Sequence, residues 1–348
     1  MQTRKTRPVK VGGLTIGGTS PITVQSMLSL PAADIAGNVA VARALELAGC
    51  DILRVAVPAE KDSALIAALK SAVTIPIVAD IHFDYKIALR CVEAGVDKIR
   101  LNPGNIGGDD NVRAVAEACA DRGVPIRVGV NAGSLERHIL ERFGGVTAEA
   151  LVASALEHAA LLERFGFSNI VLSLKSSDLP LMVEAYTLAA AACDYPLHLG
   201  VTEAGTLVAG LVKSGAGIGS LLLAGVGDTI RISLTDEPAR EVEAGIALLR
   251  ALGLRSGPRV ISCPTCGRTK IDLIPLAKEV ERRLAACQKD IRVAVMGCAV
   301  NGPGEAREAD IGICGGDGCG LLIKKGEILR KVPEERLLDE LMLEIDQL

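Results

Sequence analysis

A TIM (β/α)8 barrel followed by a small α+β domain is the fold that the sequence predicts. Eight short β-rich runs, each trailed by an Ala- and Leu-rich helical stretch, recur from Ile22 to about Leu252, and beyond that point the rhythm gives way to mixed strands and helices. In order, the strand candidates are ITVQSM, ILRVAV, PIVADI, KIRLNP, IRVGVN, IVLSLK, LHLGVT and TIRISL. Each is followed by enough chain for a crossover helix, and eight units in about 230 residues suit a barrel better than a doubly wound sheet. VGGLTIGG, ahead of the first strand, reads as a hairpin able to close the barrel floor. LGLRSGPRV is a linker, so the expected domains are residues 1–253 and 254–348. From Val260 the pattern is strand, C-x-x-C, a helix near Asp272 to Cys287, strand IRVAVM, the GCAVNGPGE loop and strand ADIGIC. A hairpin around GLLIKKGEILRK and a final helix from Pro333 complete it.

A chain of 348 residues with 49% hydrophobic content can fill two cores. Its net charge of -4 excludes an extended nucleic-acid surface and a polybasic membrane patch. The basic start MQTRKTRPVK runs into GGLTIGGTS rather than an apolar signal segment, and no apolar run approaches membrane-spanning length, so a cytoplasmic location is expected. Ten cysteines in such a chain are reduced thiols, and clustered ones are metal or redox ligands. Cys50, Cys91, Cys119 and Cys193 stand singly among apolar residues and read as small buried side chains.

Alternate residues of a strand face opposite sides, which makes the parity of each run informative. In KIRLN, Ile99 and Leu101 share one face while Arg100 and Asn102 share the other; Val128 and Val130 likewise oppose Arg127 and Asn131. The same split sets Ser173 with Lys175, His198 with Thr202, and Arg231 with Ser233 against apolar neighbours. The outer helices take the apolar parity, so the polar one points into a barrel interior that is ordinarily filled by Val, Ile and Leu. A lumen lined by Arg54, Arg100, Arg127, Lys175 and Arg231 needs compensation. Asp80, Glu203 and other carboxylates can form a buried network with these cations. The cations outnumber such partners, and a diphosphate suits Arg forks and a Lys point charge. NPGNIGG and NAGS, after the fourth and fifth strands, are turns whose backbone N–H groups can hold phosphate oxygens, at the strand ends where barrels place their chemistry.

SCPTCGR supplies Cys263 and Cys266, and GCAVNGPGEA supplies Cys298 and Glu305. A structural zinc site usually closes four ligands, often as two C-x-x-C knuckles, and there is no second pair. A C-x-x-C redox pair would want a thioredoxin-like βαβ setting. Three thiolates, with Pro after the first, match a 4Fe-4S cluster in which one iron lacks a cysteine; zinc stays as the alternative. Cys314 and Cys319, in CGGDGCG, and Glu305 are the rival fourth ligands. A carboxylate exchanges more readily than a thiolate and would leave one iron open to substrate.

NPGNIG, RVGVNAGSL, HLGVTEAG, SCPTCGR and VMGCAVNGPGEA together resemble the 4-hydroxy-3-methylbut-2-enyl diphosphate synthases in their two-domain bacterial form, over essentially the whole chain. The resemblance implies reductive ring opening and dehydration of 2-C-methyl-D-erythritol 2,4-cyclodiphosphate, in the methylerythritol phosphate route to isoprenoids. It implies one 4Fe-4S cluster per subunit on Cys263, Cys266, Cys298 and Glu305, with flavodoxin or ferredoxin as electron donor. Arg54, Arg100, Arg127, Lys175 and Arg231 would hold the diphosphate, with Asn131, His198, Thr202 and Ser233 completing the pocket and Asp80 and Asn301 as further members. Glu203 would be a proton donor for the leaving oxygen. CGGDGCG departs from the family pattern. The alternative from another class is a non-redox barrel for a phosphorylated or pterin-like ligand, with a zinc-stapled interaction module.

Barrel geometry adds an expectation about assembly. The eighth helix ends at the floor end of the barrel, and Gly253 to Ser262 span at most about 33–36 Å if fully extended. Climbing a helix layer of roughly 20 Å and turning inward uses most of that reach. A homodimer with composite sites, each cluster domain serving its partner's barrel, is therefore expected.

Overall fold

The computed structural model describes residues 4–285, 287–300, 304 and 306–348. The chain divides into two compact units, Met1–Leu252 and Gly253–Leu348. In the first, a hairpin of β1 (Val9–Val11) and β2 (Leu14–Ile16) precedes eight parallel strands. These are β3 (Thr23–Met27), β4 (Ile52–Ala56), β5 (Ile77–Asp80), β6 (Lys98–Leu101), β7 (Ile126–Asn131), β8 (Ile170–Lys175), β9 (His198–Leu199) and β10 (Thr229–Ile230). Their order, β8-β7-β6-β5-β4-β3-β10-β9, leaves one seam between β8 and β9. Every expected strand is present. The crossovers carry Ile35–Leu47, Ala64–Ala72, Tyr85–Glu93, Asp109–Asp121, Ala148–Arg164, Leu179–Ala192, Leu207–Leu223 and Pro238–Ala251. Several begin on side-chain caps: Asp34 accepts from the Gly37 N–H, Thr147 from Ala150 and Asp178 from Leu181.

A recurrent device aligns the feet of the strands. Asp51, Asp97 and Asp228 each stand one residue before their own strand and accept, at 2.8 Å, from Val24, Ile77 and Leu197 at the foot of the neighbouring strand. Each carboxylate satisfies a backbone donor that the staggered ladder would otherwise leave open. The floor is apolar: Val9, Val11 and Ile16 of the hairpin pack on Ile52, Val78 and Val171, as the VGGLTIGG segment led one to expect. At the seam, Leu172 bridges Leu197, and higher up the Thr202 N–H donates to the Ser176 carbonyl. Between them, the Tyr186 hydroxyl accepts from Leu174 N–H at 3.0 Å and donates to the His198 carbonyl at 2.5 Å. A side chain from the helix layer thus replaces a missing rung of the barrel.

The second unit is a five-stranded sheet in sequence order: β11 (Arg259–Ser262), β12 (Arg292–Met296), β13 (Ile311–Gly316), β14 (Cys319–Lys324) and β15 (Glu327–Pro333). The first three are parallel and the last two antiparallel. Lys325 and Gly326, both at positive φ, make the two-residue turn of the final hairpin. Leu273–Leu284 and Leu337–Asp346 belong to a core with Val293, Val295, Ile313 and Leu322, while Ala294, Met296 and Cys314 belong to a second cluster that Cys263 joins. Boundaries move by a few residues. The first of these helices starts after Asp272 and stops at Leu284 rather than Cys287. Pro333 ends β15, so the last helix starts at Leu337 after a single 3-10 turn, and the linker is shorter because Arg259 and Val260 already pair with β12. Cys50, Cys91 and Cys119 are buried as expected, but Cys193, at a helix end, is half-buried. Among the described residues no helix is long and apolar enough to cross a membrane.

Candidate active site

The polar parity does face the lumen, and it builds a site in which cations exceed carboxylates. Asp80, 1% exposed, receives Arg54 Nη2 at 2.5 Å and Arg100 Nη1 at 3.1 Å, with His82 Nε2 at 3.5 Å. Burial works to raise the Asp80 pKa, but the two guanidinium groups prevail and hold it at about 2. Arg100 also donates to the Gly129 carbonyl at 3.4 Å. A Cβ at Gly129 would stand 2.5 Å from Arg100 Nε, so the guanidinium lies where only glycine leaves room. Arg231 forks onto Glu241 at 3.1 and 3.3 Å; Glu241 also accepts from the Ser26 hydroxyl and the Leu234 N–H, both at 3.1 Å. Arg127, fully buried on β7, donates one bond among the described residues, 3.2 Å to Gln25 Oε1.

Asp80 and Glu241 do not use up the donors. Arg54 Nε and Nη1, Arg100 Nε, Arg127 Nε and Nη2, Gln25 Nε2 and Lys98 Nζ are buried with no partner among the described residues. Burial, reinforced by neighbouring arginines, pushes Lys175 and His198 well below their ordinary values. Lys175 is influenced by Arg54, Arg127, Arg100 and Arg231, and His198 by Arg127, Lys98, Lys175 and Arg54, so these predicted residues converge. Asn131, in register with Lys175, and Thr202 and Ser233 are half-buried at the C-terminal strand ends. Such a space is built to take an anion.

Glu203 is exposed, forms no ion pair among the described residues, and holds φ at +53°, a strained state for a residue other than glycine. The expected pairing of Glu203 with the lumen cations is therefore not seen; Glu241, from a helix, takes that part through Arg231. Nothing in the helix pattern announces Glu241. Lys98 was also outside the expected set, although period two puts it on the face of Arg100.

The loops after β6 and β7 are ordered. Asn102 accepts from Gly104 N–H at 3.0 Å, closing the turn Pro103–Asn105, and Ala132–Ser134 forms a second 3-10 turn. Glu136 pairs with His158 and accepts from Ser154, each at 2.7 Å, beneath Gly104. Burial tends to raise the Glu136 pKa, but these bonds hold it at about 2.

In the second unit Cys263, just past β11, and Cys298, just past β12, come near Cys314 within β13, while Cys266 is not brought to them. Cys263 Sγ accepts from the Gly297 N–H at 3.1 Å, which joins the C-x-x-C segment to the loop carrying Cys298. Cys266 is exposed, and its thiol is drawn toward thiolate by hydrogen bonds with Arg268, the backbone one first. Cys314 is fully buried; burial first, then Cys298 and Cys263, pushes its thiol up to about 12. Cys319 is half-buried on the next strand. Among the described residues no three His, Cys, Asp or Glu side chains stand together so as to hold a metal ion. Asn301 and Glu305 lie outside the described residues. The donor set still fits iron and sulfide in its chemistry: Cys263 and Cys298 are soft thiols just past adjoining strands, the first accepting a backbone N–H, and Cys266 is activated toward thiolate.

Residues 6–246 match the GcpE TIM-barrel domain and residues 259–347 the GcpE protein C-terminal domain. The 4-hydroxy-3-methylbut-2-en-1-yl diphosphate synthase (flavodoxin) of Caldanaerobacter subterraneus subsp. tengcongensis is 58% identical over 344 residues, covering 99% of this chain and 97% of that protein. Its namesake from Bacillus mycoides is 56% identical over 346 residues, covering 99% and 95%. Among solved structures, dihydropteroate synthase from Stenotrophomonas maltophilia aligns with a TM-score of 0.51 at 16% identity, over 72% of this chain and 98% of its own. The 3-dehydroquinate dehydratase of Geobacillus kaustophilus HTA426 gives the same TM-score and identity, over 72% and 99%. At that identity the likeness shows a barrel and no more, so it lends the pterin-ligand alternative no support. Matched in order by both domain models, and by relatives over nearly their full length, the chain belongs to the GcpE family.

Proposed function

We infer that this chain is a 4-hydroxy-3-methylbut-2-en-1-yl diphosphate synthase. It opens the ring of 2-C-methyl-D-erythritol 2,4-cyclodiphosphate, consuming two electrons and two protons and releasing water. The product is (E)-4-hydroxy-3-methylbut-2-enyl diphosphate, in the methylerythritol phosphate pathway. The single observation that carries the reading is the lumen, where buried guanidinium and amine groups exceed Asp80 and Glu241 and leave donors open for a diphosphate.

Residues 1–253 are the substrate-binding domain in this reading, and 254–348 the cluster domain. Arg54, Arg100, Arg127, Lys175 and Arg231 bind the diphosphate, and Asn131, His198, Thr202 and Ser233 orient the carbon skeleton. Asp80 keeps two of the guanidinium groups turned toward each other, and Asn301 is a further substrate-binding residue. Glu203, on a strained turn beyond β9, is the proton donor for the leaving oxygen. Cys263, Cys266 and Cys298, with Glu305, would hold one 4Fe-4S cluster, which when bound supplies electrons singly from flavodoxin. The need for reduced thiols supports a cytoplasmic setting. The short linker supports a homodimer, and a fully active monomer in solution would contradict it.

Anaerobically purified protein, given the cyclic diphosphate and reduced flavodoxin, is expected to be brown and to release the linear allylic diphosphate with two electrons consumed per product. Colourless protein with stoichiometric zinc and no turnover would overturn the reading.

A further inference from the structure

Among the arginines, the lumen holds a further buried group that the reaction above leaves unused. Lys98 opens β6, in register with Val78 of β5, itself in register with Arg54 of β4. Its side chain is 0% exposed, and Nζ has no hydrogen-bond partner among the described residues. The carboxylates nearest the lumen are engaged elsewhere, Asp80 by Arg54 and Arg100 and Glu241 by Arg231. The other charged or titratable groups sharing the space are Arg54 from β4, Arg100 on Lys98's own strand, Arg127 from β7, Lys175 from β8, His198 from β9 and Arg231 beyond β10. Tyr186 lies behind, bonded to the backbone of Leu174 and His198. Among the described residues none bonds or pairs with the Lys98 ammonium, and every positive neighbour opposes it.

We propose that Lys98 is a further ligand-binding residue, a buried, unpartnered amine that is neutral while the lumen is empty and takes up one proton when an anionic phosphoryl ligand enters the lumen. The proton comes from solvent, and the amine and the ligand's negative charge become an ion pair. Guanidinium groups surrender protons last, so in a crowded cationic lumen the lysines yield first. Burial, then Arg127 and Arg54, indeed depress the Lys98 ammonium well below its ordinary value. Arg127, which acts on Lys98, leaves Nε and Nη2 open, and its partner Gln25 leaves Nε2 open, so the same lumen holds donors that a phosphoryl oxygen would complete. The inference rests on the lumen being a phosphoryl site, and it adds that occupancy is coupled to proton uptake.

Calorimetric titration of the full chain with inorganic diphosphate, in two buffers of unlike ionisation heat at one pH, counts protons taken up per ligand. Wild type is expected to take up protons and to bind about tenfold more weakly per unit rise in pH for each proton so linked. Lys98→Met and Lys98→Gln should lose about one proton of uptake and bind about tenfold more weakly at neutral pH. Lys175→Met should keep the share belonging to Lys98. Ligand-free Lys98 variants should melt no lower than wild type, because an unpartnered buried amine has been removed. Folded Lys98 variants with wild-type proton uptake would overturn the proposal alone, and so would variants that fail to fold, since the lysine would then be structural. Wild type that does not bind inorganic diphosphate would overturn the phosphoryl reading of the lumen, and this proposal with it.

Discussion

At Asp80 a single buried carboxylate meets two guanidinium groups, and its removal would leave Arg54 and Arg100 facing each other without a counter-charge. Asp80→Asn is therefore expected to cost about 3–5 kcal/mol, measured by denaturant unfolding of the ligand-free protein. The pH dependence has a definite sign. Asp80 is held at about 2 against an ordinary 3.8, so its carboxylate stabilises the fold above 3.8 and that contribution is lost as pH falls through about 2. Wild-type stability should fall across that acid window, and the Asn variant should lack this component of the fall. Equal stability of the two proteins at pH 6 would show that the triad contributes nothing. Asp80 was readable from the polar parity of PIVADI, and so in principle was Lys98, two residues before Arg100. Glu241 was not, because it reaches the lumen from a helix whose pattern says nothing about which strand lies opposite.

Elements were legible where their signal is local. Period-two runs and β/α alternation fix the eight strands, and a two-residue Lys-Gly turn fixes the last hairpin. The seam between β8 and β9 was invisible, since it depends on Tyr186 coming back from the intervening helix to serve two backbones at once. Tyr186→Phe leaves a buried N–H at Leu174 and a buried carbonyl at His198, at roughly 1–3 kcal/mol for each group left unpaired. The expected result is a lower unfolding midpoint together with faster amide exchange at Leu174. An unchanged midpoint and unchanged exchange would mean that the seam is closed without the hydroxyl. His198 belongs to the lumen through this strand, so the variant should also weaken diphosphate binding.

At the scale of the whole molecule the proposed function assigns one task to each unit, charge for the substrate to the barrel and thiols for the electron carrier to the C-terminal sheet. The barrel half was readable because lumen residues sit on regular strands. The thiol half was readable as ligand types and spacing, since soft donors are named by residue type alone, whereas which of them meet depends on how the sheet brings distant loops together; Asn301 and Glu305 lie outside the described residues. The most direct test is the affinity for 2-C-methyl-D-erythritol 2,4-cyclodiphosphate, measured on Arg127→Met and Cys298→Ser beside the wild type, with iron content taken on the same samples. Arg127→Met should keep its iron and bind more than about tenfold more weakly, since a charge-assisted bond contributes roughly 1.5–3 kcal/mol. Cys298→Ser should lose iron yet keep most of the affinity that the lumen supplies. Full affinity in Arg127→Met, or loss of iron in Arg127→Met with none in Cys298→Ser, would contradict the division.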